Sequence, residues 1–136
     1  MELADNDSIR RLLESARRIA VVGASPKPER DSHDVTKYLI EAGYEVFPVN
    51  PGQTLILGRP CTAAIPAGMD IVDVFRSPEH VPGVVEEAIR AGAKCVWMQL
   101  GTSNPDAVRR AAEAGLDVVA DKCIKVAHGV LKIAKR

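Results

Sequence analysis

The sequence predicts an α/β fold, a doubly wound and mainly parallel sheet of five strands with helices on both faces. Short apolar runs rich in valine and isoleucine alternate with longer segments of helical spacing, the order that successive βαβ units produce. Several short runs are apolar at consecutive positions, as strands covered on both faces are. No linker divides the 136 residues, so we expect a single domain, with a helix over 1–17 and the core over 18–136.

Five runs are predicted as the central strands because each is short, apolar and followed by turn residues. They cover residues 18–23, 44–49, 70–75, 94–100 and 116–120. Ile56 and Leu57 form a shorter apolar run and are a candidate sixth strand. With helices between them, these runs predict a Rossmann-like domain.

Apolar residues recur at helical spacing in the remaining segments. The sets are Ile9, Leu12, Leu13 and Ala16; Val35, Tyr38, Leu39 and Ala42; and Val81, Val84, Val85, Ala88 and Ile89. A further helix is predicted to begin at Asn104-Pro105, which supplies a capping side chain followed by a proline, and a last helix is predicted over 126–133.

The predicted helices also carry signals at their ends. The capping candidates of the first helix are Asp5, Asp7 and Ser8. Gly43, Gly92 and Gly115 each follow an alanine and precede a strand, where a left-handed residue ends a helix. The same helix-to-strand connection is therefore predicted three times along the chain.

Composition narrows the function classes. Eighteen basic residues balance eighteen acidic ones, so no overall field favours nucleic acid or an acidic membrane surface. We expect a cytoplasmic protein, because no apolar run approaches the roughly 20 residues of a membrane span and the N-terminal segment lacks the apolar region of a signal peptide. Three widely spaced cysteines predict neither a disulfide framework nor a metal site.

A ligand is expected at the carboxyl ends of the strands, where open parallel sheets bind small molecules. The turn after the first strand, residues 23–32, offers a glycine for close backbone approach, the Ser25 hydroxyl, and the cations Lys27 and Arg30. Ser32 is a candidate cap for the helix that follows. A phosphate-binding loop and an ordinary surface turn both fit, since two acidic residues balance the two cations.

Two common nucleotide sites lack their motifs here. The loop contains one glycine in place of GxGxxG, and Val49-Asn50-Pro51 stands where a dinucleotide site has an acidic residue for the ribose. The Walker motif GxxxxGK[ST] is also missing. An NAD(P)-dependent oxidoreductase therefore remains only an alternative interpretation.

Four segments together resemble a known family. They are VVGASPKPERDSHDV at 21–35, PVNPG at 48–52, DIVDVFRSPEHVP at 70–82, and WMQLG at 97–101 with DKCIKVAH at 121–128. In order and spacing they are similar to small stand-alone CoA-binding proteins, and to the N-terminal CoA-binding domain of the succinyl-CoA synthetase α subunit. The resemblance implies coenzyme A or acyl-CoA as the ligand.

The resemblance also implies which residues contact CoA. Ser25, Pro26, Lys27 and Pro28 correspond to the loop around the CoA phosphates, which begins at Gly23-Ala24, with Arg30 and Ser32 nearby. Gln53, after Asn50 and Pro51, replaces a lysine of the synthetase that touches CoA. Phe75 and Arg76 correspond to the pair beside the adenine, and Met98, Gln99 and Leu100 to the segment along the pantetheine arm.

Catalysis is not implied, because the phosphorylated histidine of the synthetase belongs to a domain that this sequence does not include. His33, His80 and His128 have no nucleophilic partner in sequence, and we interpret them as structural or solvated. Asp73, inside an apolar run, is interpreted as a hydrogen-bonded structural acid, with a shifted pKa as the alternative. Cys123 is interpreted as a small packed residue, with a mixed disulfide to the CoA thiol as the alternative.

The function predicted from the sequence is binding of coenzyme A or acyl-CoA without catalysis by this chain alone. A second alternative is the CoA-binding subunit of a split acyl-CoA synthetase. The expected partners are the small-molecule ligand and either a ligase-type subunit or further copies of the same chain.

Overall fold

The computed structural model describes residues 1–135. Its helices are α1 (Asn6–Ser15), α2 (Asp31–Glu41), α3 (Val81–Arg90), α4 (Pro105–Glu113) and α5 (Ile124–Val130), with a 3-10 turn at Pro78–His80. Its strands are β1 (Arg18–Val22), β2 (Glu45–Val49), β3 (Leu55–Ile56), β4 (Arg59–Pro60), β5 (Ile71–Val74), β6 (Cys95–Met98) and β7 (Asp117–Val119). None of these helices has the length and apolar character needed to cross a bilayer.

Five strands form the main sheet in the order β2-β1-β5-β6-β7, and every neighbouring pair is parallel. From β1 the chain first adds β2 on one side and then returns to add β5 on the other. The order therefore reverses between β1 and β5, which makes this a doubly wound, Rossmann-like sheet. The predicted fold class is confirmed.

The core lies on both faces of the sheet. Successive residues of β1 alternate between the two layers: Ile19 packs with α1, α2 and α5, whereas Ala20 packs with α3 and α4. In the first layer the helix residues Leu13, Leu39 and Ile124 are fully buried. Because helices cover both faces of the sheet, the central strands are apolar at consecutive positions.

The candidate additional strand is confirmed in part: a short strand includes Ile56, but it does not include Leu57 and does not join the main sheet. Ile56 lies in β3, but β3 pairs only with β4, in a short antiparallel hairpin outside the main sheet. Leu57 lies in the turn, where both Leu57 (φ 52°) and Gly58 (φ 74°) are left-handed, as the two central residues of a tight hairpin turn require.

Most predicted helix ends are confirmed, and two are corrected. Asp5 and Asn104 cap α1 and α4, and the three glycines after the helices all have positive φ. Ser32 does not cap α2: the helix starts one residue earlier, at Asp31, and the Ser32 side chain is buried. The last helix ends at Val130 rather than at 133, because Lys132 takes the left-handed conformation that terminates it.

Candidate functional site

A cleft of about 910 Å³ opens at the carboxyl edge of the sheet, where the ends of β1 and β5 meet. Ten residues named from the sequence line it, namely Gly23, Ala24, Ser25, Lys27, Arg30, Ser32, Asn50, Pro51, Phe75 and Arg76. Their segments follow three neighbouring strands, so the parallel sheet brings together residues that are more than 50 positions apart in sequence. This is the strand-order reversal at which sheets of this kind bind ligands.

The loop after β1 is held close to the ends of both neighbouring strands. Gly23 has a φ of 86°, and a Cβ built there would lie 2.1 Å from the carbonyl oxygen of Phe75. The Asn50 Nδ2 group donates to the carbonyl of Ala24 at 2.9 Å. Ser25 Oγ accepts from the Lys27 backbone N–H at 3.1 Å, which orders the next part of the loop.

The N-terminus of α2 faces this cleft without a side-chain cap. Arg30 occupies the capping position and its side chain makes no capping hydrogen bond. By contrast, Asp5 accepts from the Ser8 N–H in α1, and Asn104 accepts from the Ala107 N–H in α4. The N–H groups of His33 and Asp34 donate to the Arg30 carbonyl, so within residues 1–135 those of Asp31 and Ser32 are the ones left available to an anion in the cleft.

Three cations and three carboxylates share the cleft. No carboxylate within residues 1–135 forms an ion pair with Lys27, Arg30 or Arg76, although all three side chains are exposed. The carboxylates are those of Glu29, Asp31 and Glu87. The formal charge of the lining is therefore balanced, and anion binding depends on local geometry and on the end of α2.

The other predicted site residues lie outside the lining. Pro26, Pro28 and Gln53 are exposed residues of the loops that border the cleft. Met98 and Gln99 are buried beneath the surface, and Leu100 is 64% exposed but lines a different cavity. The structure thus groups the loops after β1, β2 and β5, whereas the segment after β6 reaches the cleft through Thr102 and not through the three residues predicted there.

Asp73 is wholly buried in β5, next to Gln99. The Gln99 Nε2 group donates to Asp73 Oδ1, while Oδ2 has no hydrogen-bond partner among residues 1–135. Burial raises the pKa of Asp73 to about 8, since the loss of hydration outweighs the opposing hydrogen bond from Gln99. The carboxyl is therefore largely neutral at pH 7 in the folded protein, and it does not line the cleft.

Cys123 lines a second cavity, of about 310 Å³, between α1 and α5. Its neighbours there include the exposed side chains of Leu100, Val126 and Val130. The cysteine is half-buried and does not line the large cleft.

Burial raises the pKa of the Cys95 thiol, in β6, and that of the half-buried Cys61 thiol.

The three histidines lie in three different elements. His33 is half-buried in α2, and His80 is exposed in the turn before α3. His128 is buried in α5, where its Nδ1 lies 2.7 Å from the Tyr38 hydroxyl. Within residues 1–135, no three His, Cys, Asp or Glu side chains are grouped so as to hold a metal ion.

Sequence reasoning left several lining residues unassigned. Ser77 and Thr102 are among the residues that the strand-end rule selects from the sequence, but the family resemblance assigns them no contact with CoA. Ala63 comes from the segment after the hairpin, and Val84 and Glu87 from within α3. No local pattern marks those three, because their approach to the cleft depends on tertiary packing.

Comparison with known proteins identifies the family. The family model of the CoA-binding domain matches residues 17–129. The uncharacterized protein YneT of Bacillus subtilis (strain 168) is 42% identical over 135 residues, which cover 97% of this chain and 100% of that protein. A solved structure, a hypothetical protein from Pyrococcus horikoshii OT3, is 45% identical with a TM-score of 0.91, over 95% of this chain and 93% of that one.

A longer relative is an enzyme subunit. The alpha subunit of ADP-forming acetate–CoA ligase I from Pyrococcus furiosus is 36% identical over 89 residues, 59% of this chain. Those residues are 19% of the subunit, so this chain corresponds to about a fifth of it. The chain belongs to the CoA-binding domain family.

Proposed function

We propose that this member of the CoA-binding domain family binds coenzyme A or acyl-CoA in the cleft between the ends of β1 and β5. The observation that carries the proposal is the uncapped N-terminus of α2, which faces the cleft beside Lys27 and Arg30. Free N–H groups at a helix start, together with two unpaired cations, form a site for a diphosphate. The diphosphate of CoA binds there, and Ser25 supplies a hydroxyl from the same loop.

The volume and lining of the cleft suit the rest of the ligand. A space of about 910 Å³ is within the range of cofactor sites, and Val22, Val49 and Val84 contribute apolar surface beside the polar groups. Membership of the family and similarity to an acetate–CoA ligase subunit support CoA over other adenine nucleotides. The missing GxGxxG motif and ribose acid weigh against NAD(P).

We assign the chain a binding role without turnover of its own. The related ligase subunit is about five times longer than the matched segment, so its reaction also draws on parts with no counterpart in the match. A second candidate function follows from the same relative: this chain supplies the CoA-binding part of an acyl-CoA ligase whose other parts lie on a separate polypeptide.

Titration calorimetry with CoA, NAD and NADP tests the binding proposal. We expect saturable binding of CoA, with affinity lowered about tenfold in Lys27→Ala and in Arg30→Gln, as the loss of one charged phosphate contact predicts. Lys37→Ala is the matched control, since Lys37 is an exposed lysine of α2 that does not line the cleft. Selective binding of NAD or NADP with no heat from CoA would refute the proposal.

The second candidate is tested by affinity purification of the chain from its native cell. Co-purification of a ligase-like polypeptide, together with CoA-dependent acyl-CoA formation by the pair, supports it. A protein that remains alone and inactive when mixed with such a polypeptide excludes it and leaves the binding role intact.

A further inference from the structure

Arg76 stands apart from the other two cations of the cleft. Lys27 and Arg30 lie between β1 and α2, whereas Arg76 follows the end of β5. The Arg76 Cδ atom lies 3.4 Å from the position that a Cβ on Gly23 would occupy. The arginine side chain therefore lies against the residue that follows β1, and the cleft has cations from the loops after both β1 and β5.

The proposed diphosphate site uses the cations of one of these two loops. A diphosphate at the start of α2 uses the helix N–H groups with Lys27 and Arg30, which leaves Arg76 without an anion. Its guanidinium has planar paired donors that match a phosphate monoester. Coenzyme A carries one such group, on the ribose 3′ oxygen, in addition to its diphosphate.

We propose that Arg76 binds the ribose 3′-phosphate and thereby makes the site select CoA over dephospho-CoA. This inference rests on the proposed function and specifies it further. The Glu29 and Asp31 carboxylates lie in the same cleft, so each phosphate of the ligand needs a cation to offset their repulsion. Glu87, the third carboxylate, accepts from the Ile65 N–H at 2.6 Å and is held by that hydrogen bond.

The test compares CoA with dephospho-CoA, two ligands that differ only in the 3′-phosphate, by titration calorimetry. We expect the native protein to bind CoA about tenfold more tightly than dephospho-CoA. Arg76→Gln should weaken CoA binding about tenfold and leave the affinity for dephospho-CoA within about twofold. Arg90→Gln is the matched control, since Arg90 is an exposed arginine at the far end of α3.

Three results would overturn the inference. Equal affinity of the native protein for both ligands means that the 3′-phosphate is not recognised. Equal weakening of both ligands by Arg76→Gln places Arg76 on a part of the ligand that they share. Failure of the native protein to bind either ligand refutes the proposed function itself. The first two results refute only the role of Arg76, so the two kinds of failure are distinguishable. Because Arg76 is exposed, the variant is expected to unfold at the same denaturant concentration as the native protein.

Discussion

At Gly23 the main chain passes against the carbonyl of Phe75, and no other residue type fits there. A side chain at this position meets both a left-handed φ of 86° and a backbone oxygen 2.1 Å away. The oxygen belongs to the segment after β5, so relieving the contact means separating the two strand ends that form the cleft.

We therefore expect Gly23→Ala to lower the free energy of unfolding by more than about 3 kcal/mol and to abolish CoA binding. Urea unfolding followed by circular dichroism measures the first effect. Gly92→Ala is the control, because Gly92 has a φ of 74° but nothing within 4 Å of the added Cβ. It should lose only about 1–2 kcal/mol, and equal losses in the two variants would contradict the role of the Phe75 contact.

Asp73 predicts a specific dependence of stability on pH. Its pKa is raised to about 8 in the folded protein, from an ordinary value near 3.8, so the folded state holds a proton that the unfolded state releases. The unfolding free energy therefore falls as pH rises between these values, with a limiting slope of about 1.4 kcal/mol per pH unit from this group. Above pH 8 the penalty is complete, and below pH 4 it is absent.

Asp73→Asn removes that titration and keeps an oxygen that accepts from Gln99. Urea unfolding at pH 5, 7 and 9 should show the stability of Asp73→Asn rising relative to the native protein as pH increases. The native protein minus the variant gives the contribution of this one carboxyl, since all other groups titrate in both. Parallel stability profiles would show that Asp73 is already ionised in the fold.

At the scale of elements, the start of α2 has no side-chain cap, which leaves this helix less stable than a capped one. A serine at the capping position stabilises a helix by about 1 kcal/mol over a residue that cannot cap. Arg30 occupies that position without capping, and its side chain lines the cleft. The end of the helix is thus left unsatisfied where the diphosphate is proposed to bind.

Two substitutions, Arg30→Ser and Arg30→Gln, separate the contribution of the Arg30 charge to CoA binding from the effect of a cap on the stability of α2. Both variants lose the cation and should bind CoA about tenfold more weakly. Only Arg30→Ser gains a cap, so it should raise the unfolding free energy of the ligand-free protein by about 1 kcal/mol, while Arg30→Gln leaves it unchanged. If both variants are equally stable in urea unfolding, the start of α2 is already satisfied within the protein.

Elements whose signals are local were predictable from the sequence. Most positions of the five sheet strands are buried, so their apolar runs are nearly continuous. Gly43 marks a helix end that requires positive φ. The β3–β4 hairpin was not predictable in the same way, because its turn depends on a leucine in a conformation that leucine rarely adopts. The start of α2 also differs from the prediction that Ser32 caps this helix. The Arg30 N–H donates to the Lys27 carbonyl, so the turn begins before Ser32.

The candidate site likewise contains residues that were predictable from the sequence and residues that were not. Residues directly after β1, β2 and β5 line the cleft, because the carboxyl ends of parallel strands share an edge. Met98 and Gln99 correspond in sequence to the segment along the pantetheine arm, but they are buried. Glu87 lines the cleft from within α3, where no sequence pattern marks it. The contacts assigned to CoA remain predictions for all of these residues.

At the scale of the molecule, a short segment of chain pairs with each outer strand of the sheet. Thr62 bridges to Val49 beside β2, and Glu2 bridges to Val118 in β7, so both outer strands have a partner segment. These bridges reduce the exposed strand edge that would otherwise pair with another chain. The cleft opens at the carboxyl edge of the sheet, where the segments after β1, β2, β5 and β6 converge.

A ligand that joins those loops should stabilise the whole domain, because unfolding separates the loops and destroys the site. At a CoA concentration 100 times the dissociation constant, linkage gives about 2.7 kcal/mol, or roughly 5–10 °C in the unfolding temperature of a domain near this size. Pantetheine, which lacks the nucleotide and its phosphates, should give no shift in a thermal scan. Lys27→Ala should need about ten times more CoA for the same shift, and an equal shift with pantetheine would place the anchoring contacts on the arm of the ligand rather than on its diphosphate.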